Sequence, residues 1–141
     1  MDKLSKNFNR EEFACPCCGK DDIKIMLIIK LQELRDKIGS PILITSGVRC
    51  KKYNRKINGF VNSPHLSGGA ADIQVSGMSP QVMALMAKYT SGVRLGIYPN
   101  HLHIDIVKAH PSKYWIVKKY GGEYIYSDKG KDLNKFIRDN M

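Results

Sequence analysis

The sequence predicts a single α+β domain built on a mainly antiparallel sheet with helices flanking it. Three observations carry that expectation. Apolar residues recur at helical spacing from Ile25 to Ile38. Two short apolar runs, Val93 to Tyr98 and Leu102 to Val107, meet at a Pro99-Asn100 turn. No repeat, low-complexity stretch or linker divides the 141 residues, a length that fits one domain with its own core. With 43% hydrophobic and 26% charged residues, the composition is that of an ordinary globular protein.

The elements follow in order. Phe8 and Phe13 flank Asn9 to Glu12, which reads as a short helical turn pinned by two aromatics. Asp21 and Asp22 are expected to cap a helix whose apolar positions Ile25, Leu27, Ile28, Leu31, Leu34 and Ile38 recur at helical spacing and which stops at Gly39. Pro41 leads into a short buried strand, Ile42 to Thr45. A long polar loop is expected from Lys51 to Ser63, and loops of that length in compact domains are usually functional. Ala70 to Val75 reads as a strand, and Ser79-Pro80 opens a helix with proline at its first position, running to about Tyr89. Beyond residue 110 an extension adds strands at Tyr114 to Val117 and Tyr124 to Tyr126, then a helix near Asp132 to Asn140.

The charge narrows the partners. Twenty-three basic against thirteen acidic residues give +10, which favours a polyanionic partner and speeds encounter with it. The basic residues are dispersed, and neither an aromatic-interleaved RNA signature nor a recognition helix stands out, so no specific nucleic-acid readout is expected. No apolar run approaches the ~20 residues a membrane span needs. Met1 to Asn7 lacks the apolar core of a secretory leader, so export by another route is expected, such as a lysis pore or carriage in a particle.

Cys15, Cys17, Cys18 and Cys50 admit three readings: a structural zinc held by three or four thiolates, a disulfide between Cys50 and the cluster, or reduced thiols packed beneath the first long helix. An all-thiolate site tends to be closed, so a catalytic metal is not expected there. A lone His110 reads as a solvated surface residue.

The chemistry concentrates elsewhere, in Ser63-Pro64-His65-Leu66-Ser67-Gly68-Gly69-Ala70-Ala71-Asp72 and His101-Leu102-His103-Ile104-Asp105. Strand alternation puts His103 and Asp105 on one face, opposite Leu102, Ile104 and Ile106, with His101 at the strand mouth. Gly68 and Gly69 are expected to permit the backbone angles that fold His65 back towards Asp72. Two imidazoles and a carboxylate suit a zinc site with one position left open to water. Such a metal generates a nucleophile near neutral pH and polarises the carbonyl under attack. Singly, each residue has a plainer reading: Asp72 as a turn cap, His103 as a satisfied core histidine.

Together with Arg49 in Ser46-Gly47-Val48-Arg49, the S-x-H-x-x-x-G-x-A-x-D run from Ser63 to Asp72 and the H-x-D at His103 and Asp105 resemble the zinc D-alanyl-D-alanine carboxypeptidases. These belong to the murein metallopeptidases with a hedgehog-like fold. Leu4 to Phe8 and Glu12 to Gly19 look like the start of small phage-borne members, and the resemblance spans roughly Leu4 to Val107. It implies zinc on His65, Asp72 and His103, with Ser63 and Asp105 supporting them. Arg49 would hold a substrate carboxylate or the developing oxyanion; apart from what the resemblance implies, Tyr98 could donate a hydrogen bond to that oxyanion. The implied reaction is amide hydrolysis in the peptide stem of bacterial peptidoglycan, by endopeptidase or carboxypeptidase action, after lysis-pore release or as part of a virion. A monomer is favoured, and a second, structural ion at the cysteines stays open.

One departure stands out. Many relatives carry a carboxylate three residues before the last histidine ligand, where this chain has Asn100, which cannot act as a base. His101 is the nearest titratable substitute. The competing expectation is a binding module that keeps the zinc and recognises wall peptide or a protein without turning it over.

Overall fold

The computed structural model describes residues 2–108, 113–128 and 130–141; the surface role expected of His110 lies outside these residues. Among them a six-stranded sheet runs in the order β1-β2-β4-β3-β5-β6. Its strands are β1 (Leu43–Ser46), β2 (Ala70–Gln74), β3 (Arg94–Ile97), β4 (Leu102–Asp105), β5 (Tyr114–Ile116) and β6 (Ile125–Tyr126). Every neighbouring pair is antiparallel except β3 with β5. The helices are α1 (Ile25–Ile38), α2 (Lys51–Lys56), α3 (Pro80–Ala87) and α4 (Leu133–Asn140). No helix among the described residues is long and apolar enough to cross a membrane. The architecture is the single α+β domain that the sequence predicts.

Alternation along the strands divides the sheet into two faces. The rows Ile73–Leu102–Ile97 and Ala71–Ile104–Leu95 are in register and fully buried. They belong to one continuous core with Leu27, Leu31 and Leu34 of α1 and Met83 of α3. The other face carries a second row, in which Ser46 pairs with Asp72, Asp72 with His103, His103 with Gly96, Gly96 with Trp115, and Trp115 with Tyr126. Directly opposed residues share a face, so residues from all six strands form one polar and aromatic strip across the sheet. This strip is the floor of the site.

Local chemistry explains most boundaries. Arg10–Phe13 forms one tight turn, closed by Glu12 accepting from the Asn9 N–H at 2.7 Å, with Phe8 and Phe13 buried against each other. Gly39 ends α1 with φ 74°, a left-handed conformation that glycine adopts without penalty. Ser79 caps α3 and Asp132 caps α4 through their side-chain oxygens.

Four expectations need correction. Asp21 and Asp22 do not cap α1; the helix begins at Ile25 because the Lys24 N–H is bound to the Gly68 carbonyl, 2.9 Å away. β1 is a half-exposed edge strand, Leu43 being 60% exposed, because only β2 pairs with it. The long loop from Lys51 begins as α2, capped by the Cys50 sulfur accepting from the Tyr53 N–H. Finally, the two glycines before β2 are not equivalent. Gly68 has φ 77°, and a Cβ there would lie 2.3 Å from the Asp22 carbonyl, whereas a Cβ on Gly69 would meet only ordinary contacts. Gly68 is therefore the position that needs glycine, and it lets the chain before α1 pass over the turn that carries His65.

Candidate metal centre

Asp72 is the hub of the strip. Its Oδ1 lies 3.2 Å from His65 Nε2 and 3.1 Å from His103 Nδ1, and its Oδ2 accepts from Arg49 Nη2 at 3.1 Å. Each imidazole is anchored through its other nitrogen. His65 Nδ1–H donates to the Gly47 carbonyl at 2.7 Å, and His103 Nε2–H donates to Asp105 Oδ2 at 2.7 Å. These acceptors carry no proton of their own, so they fix the tautomers. The second nitrogen of each ring faces the same carboxylate oxygen, so a proton or a metal ion has to lie on each of these contacts. Three electron-rich atoms converging in a buried site need a positive charge between them.

Protonation follows the same logic. Burial raises the Asp72 carboxyl, but the charge of His65 and hydrogen bonds from His103 and His65 outweigh it, leaving the pKa well below the usual carboxylate range. Burial lowers His65. It also opposes the charged form of His103, yet hydrogen bonds to Asp105 and Asp72 prevail and its pKa ends raised. His65, Asp72 and His103 each offer an atom within 4.8 Å of the others. Two imidazoles and a carboxylate are the donor set of zinc sites that keep a position open, so these residues fit such an ion.

Support comes from behind. Asp105 is fully buried, with Arg94 donating to it through Nε at 2.9 Å and Nη2 at 2.8 Å. A bidentate pair of this kind holds the carboxylate in a fixed plane. Ser63 accepts from the His65 N–H and caps the turn that carries it. Arg49 is held at three points: Ser46 Oγ, Asn54 Oδ1 and Asp72. Burial lowers its pKa, but a guanidinium stays charged at neutral pH.

His101 is at the rim. Its Nε2 is 3.7 Å from Asp72 Oδ1 and its Nδ1 is 2.8 Å from the Tyr120 hydroxyl. Burial lowers its pKa. Tyr98 stacks on it with centroids 4.4 Å apart, accepts from Trp115 Nε1 at 3.1 Å, and is itself pushed up by burial. The backbone of Asn100 is engaged with Gln74 and Tyr120.

These groups line an open cleft of about 880 Å³. Residues 57–64 form one wall. The other comes from the C-terminal extension: Trp115, Tyr120, Tyr124 and Tyr126. Phe60 meets Tyr124 across the gap at 5.2 Å. Sequence reasoning missed this wall, Arg94 and Asn54, although Gly96 held a signal. A Cβ on Gly96 would lie 2.4 Å from the Trp115 ring, so the bare glycine is what lets the indole lie over the strip beside His103.

The cysteines lie apart from this cleft. All four are free thiols, and Cys15, Cys18 and Cys50 each place sulfur within 4.8 Å of the others.

A family model described as Peptidase M15 matches residues 6–106. The chain belongs to the peptidase M15 family. The match covers the chain from before the Arg10–Phe13 turn through β4 and includes every predicted metal-site residue. It makes the protein a metallopeptidase of a zinc-dependent family. The M15 match stops before the aromatic wall built by residues 115–126. No curated protein matches the chain.

Proposed function

We propose that the protein is a zinc peptidase that hydrolyses an amide bond in the peptide stem or cross-bridge of bacterial peptidoglycan. The observation that supports it most is the convergence of His65 Nε2, His103 Nδ1 and Asp72 Oδ1 at the floor of an open cleft, with Arg49 alongside. Those three atoms would hold the ion. When bound, zinc supplies a Lewis acid for the scissile carbonyl and lowers the pKa of water.

The chain's own residues do the rest. Gly47 and Asp105 keep the two imidazoles in their ligating tautomers. Arg49 presents a fixed, charged fork to a substrate carboxylate or to the oxyanion that develops. His101 takes the proton that the missing carboxylate at Asn100 would otherwise take, with its Nδ1–H donated to Tyr120 and its Nε2 facing the site. Tyr98 stacks against it and, its proton strongly retained, is suited to donate a hydrogen bond rather than to act as a base. The +10 charge suits a wall rich in phosphate or carboxylate, and a phage or prophage origin, with release through a lysis pore or carriage in a virion, goes with wall cleavage.

The test is mass spectrometry of fragments released from purified peptidoglycan, with and without chelator. Chelator-sensitive release of defined peptides is the expected result, and the fragment masses name the bond. No release from several wall types by zinc-loaded protein would replace this reading with that of a binding module.

A further inference from the structure

The second cluster does not take part in the chemistry above, and its construction calls for an explanation of its own. Cys15 to Cys18 forms a closed knuckle: Gly19 N–H donates to the Cys15 carbonyl at 2.8 Å, Cys15 N–H donates to the Lys20 carbonyl at 2.7 Å, and Gly19 turns the chain with φ 78°. Cys50 arrives from the other side of the fold, at the start of α2. Backbone N–H groups point at the sulfurs: Cys50 N–H donates to Cys15 Sγ and Tyr53 N–H to Cys50 Sγ, each at 3.4 Å. Amide donors of this kind favour thiolate over thiol.

We propose that Cys15, Cys18 and Cys50 bind a second zinc ion, with exposed Cys17 of the same knuckle available to fill the fourth position. Three observations support an ion over the alternatives. A disulfide joins two sulfurs and would leave the third of three mutually close thiols without a role. Plain core packing suits buried cysteines, yet Cys17 and Cys18 are exposed and Cys50 is only partly covered. Sulfurs around a tetrahedral zinc at ~2.3 Å lie ~3.8 Å apart, and the three here, already within 4.8 Å, need only a small contraction.

The ion would fasten the N-terminal segment to the strand exit that serves the catalytic strip. Cys50 follows Arg49, Gly47 carries the carbonyl that anchors His65, and Val48 N–H already binds the Phe13 carbonyl at 2.9 Å. Thiolate zinc sites contribute directly to folding free energy. This one would therefore be a structural clamp on the segment from Gly47 to Cys50.

The test is metal content per chain of the full-length protein, purified under reducing conditions, for wild type, Cys18→Ser and His103→Ala. Cobalt absorption spectra of the wild type and His103→Ala accompany it. The expected result is two ions per chain in wild type and one in each variant, with an intense near-ultraviolet thiolate-to-cobalt band in both cobalt forms. Cys18 is exposed, so its substitution spares the core, and the wild-type spectrum needs no substitution at all. A single ion that survives Cys18→Ser and disappears in His103→Ala, with no thiolate band, overturns the clamp and leaves the peptidase reading intact. A single ion with the opposite behaviour upholds the clamp and removes the catalytic metal.

Discussion

The two clusters of ligand-type side chains differ in what surrounds them more than in how tightly they converge. His65, Asp72 and His103 sit at the bottom of a wide cleft, and behind them stand Gly47, Asp105 and Arg94. Cys15, Cys18 and Cys50 do not line that cleft, and backbone amides address the sulfurs of Cys15 and Cys50. Nitrogen and oxygen donors with an approach path suit turnover, whereas thiolates gathered around a knuckle suit a closed site. Access and the groups behind the ligands, more than ligand count, assign the roles.

The largest effect should come from attacking that contrast directly. His65→Ala, Asp72→Ala or His103→Ala should each reduce hydrolysis to the level of chelated enzyme, with loss of one ion per chain by elemental analysis. Metal content unchanged after all three substitutions would mean that the ion belongs to the cysteines alone. His101→Ala tests whether the cleft site has a proton acceptor beyond its ligands. General-base loss costs ~10²-fold or more, so kcat should fall by about that factor with metal content unchanged. A fully active variant would remove His101 from the mechanism.

Arg49 joins the two regions, touching Asp72 on one side and preceding Cys50 on the other. Arg49→Lys should lower kcat/KM by about 10-fold with all metal retained, because a point charge keeps attraction but loses the planar fork. Loss of an ion together with activity would instead show that the arginine is needed to assemble a metal site.

Much of this site can be read from the chain because its key spacing is local. On β4 a period of two puts His103 and Asp105 on one face without knowledge of the fold. The short turn from Ser63 to Gly68 likewise brings His65 to within seven residues of Asp72. α2 was hidden for an equally physical reason: six polar residues with Asn54 as the buried member give no apolar period to detect. The aromatic wall was hidden because register alone creates it. Trp115 and Tyr126 join the strip only once β5 pairs in parallel with β3, a long-range choice that no local spacing encodes.

That wall supplies the finest test, because it asks whether residues beyond the family match share in catalysis. The Tyr120 hydroxyl receives the Asn100 N–H at 3.3 Å and meets His101 Nδ1 at 2.8 Å. It therefore sets the imidazole plane that presents Nε2 to the cleft. Tyr120→Phe keeps the ring and its stacking while deleting one hydrogen bond. Such a bond is worth about 1 kcal/mol, or roughly a 5-fold change. The ring is half-exposed, so the fold should tolerate the change. The expected outcome is a kcat reduced about 5-fold, unaltered metal content, and little further loss when combined with His101→Ala. Full additivity with His101→Ala would separate Tyr120 from that histidine and make the extension a wall of the cleft that only contacts substrate.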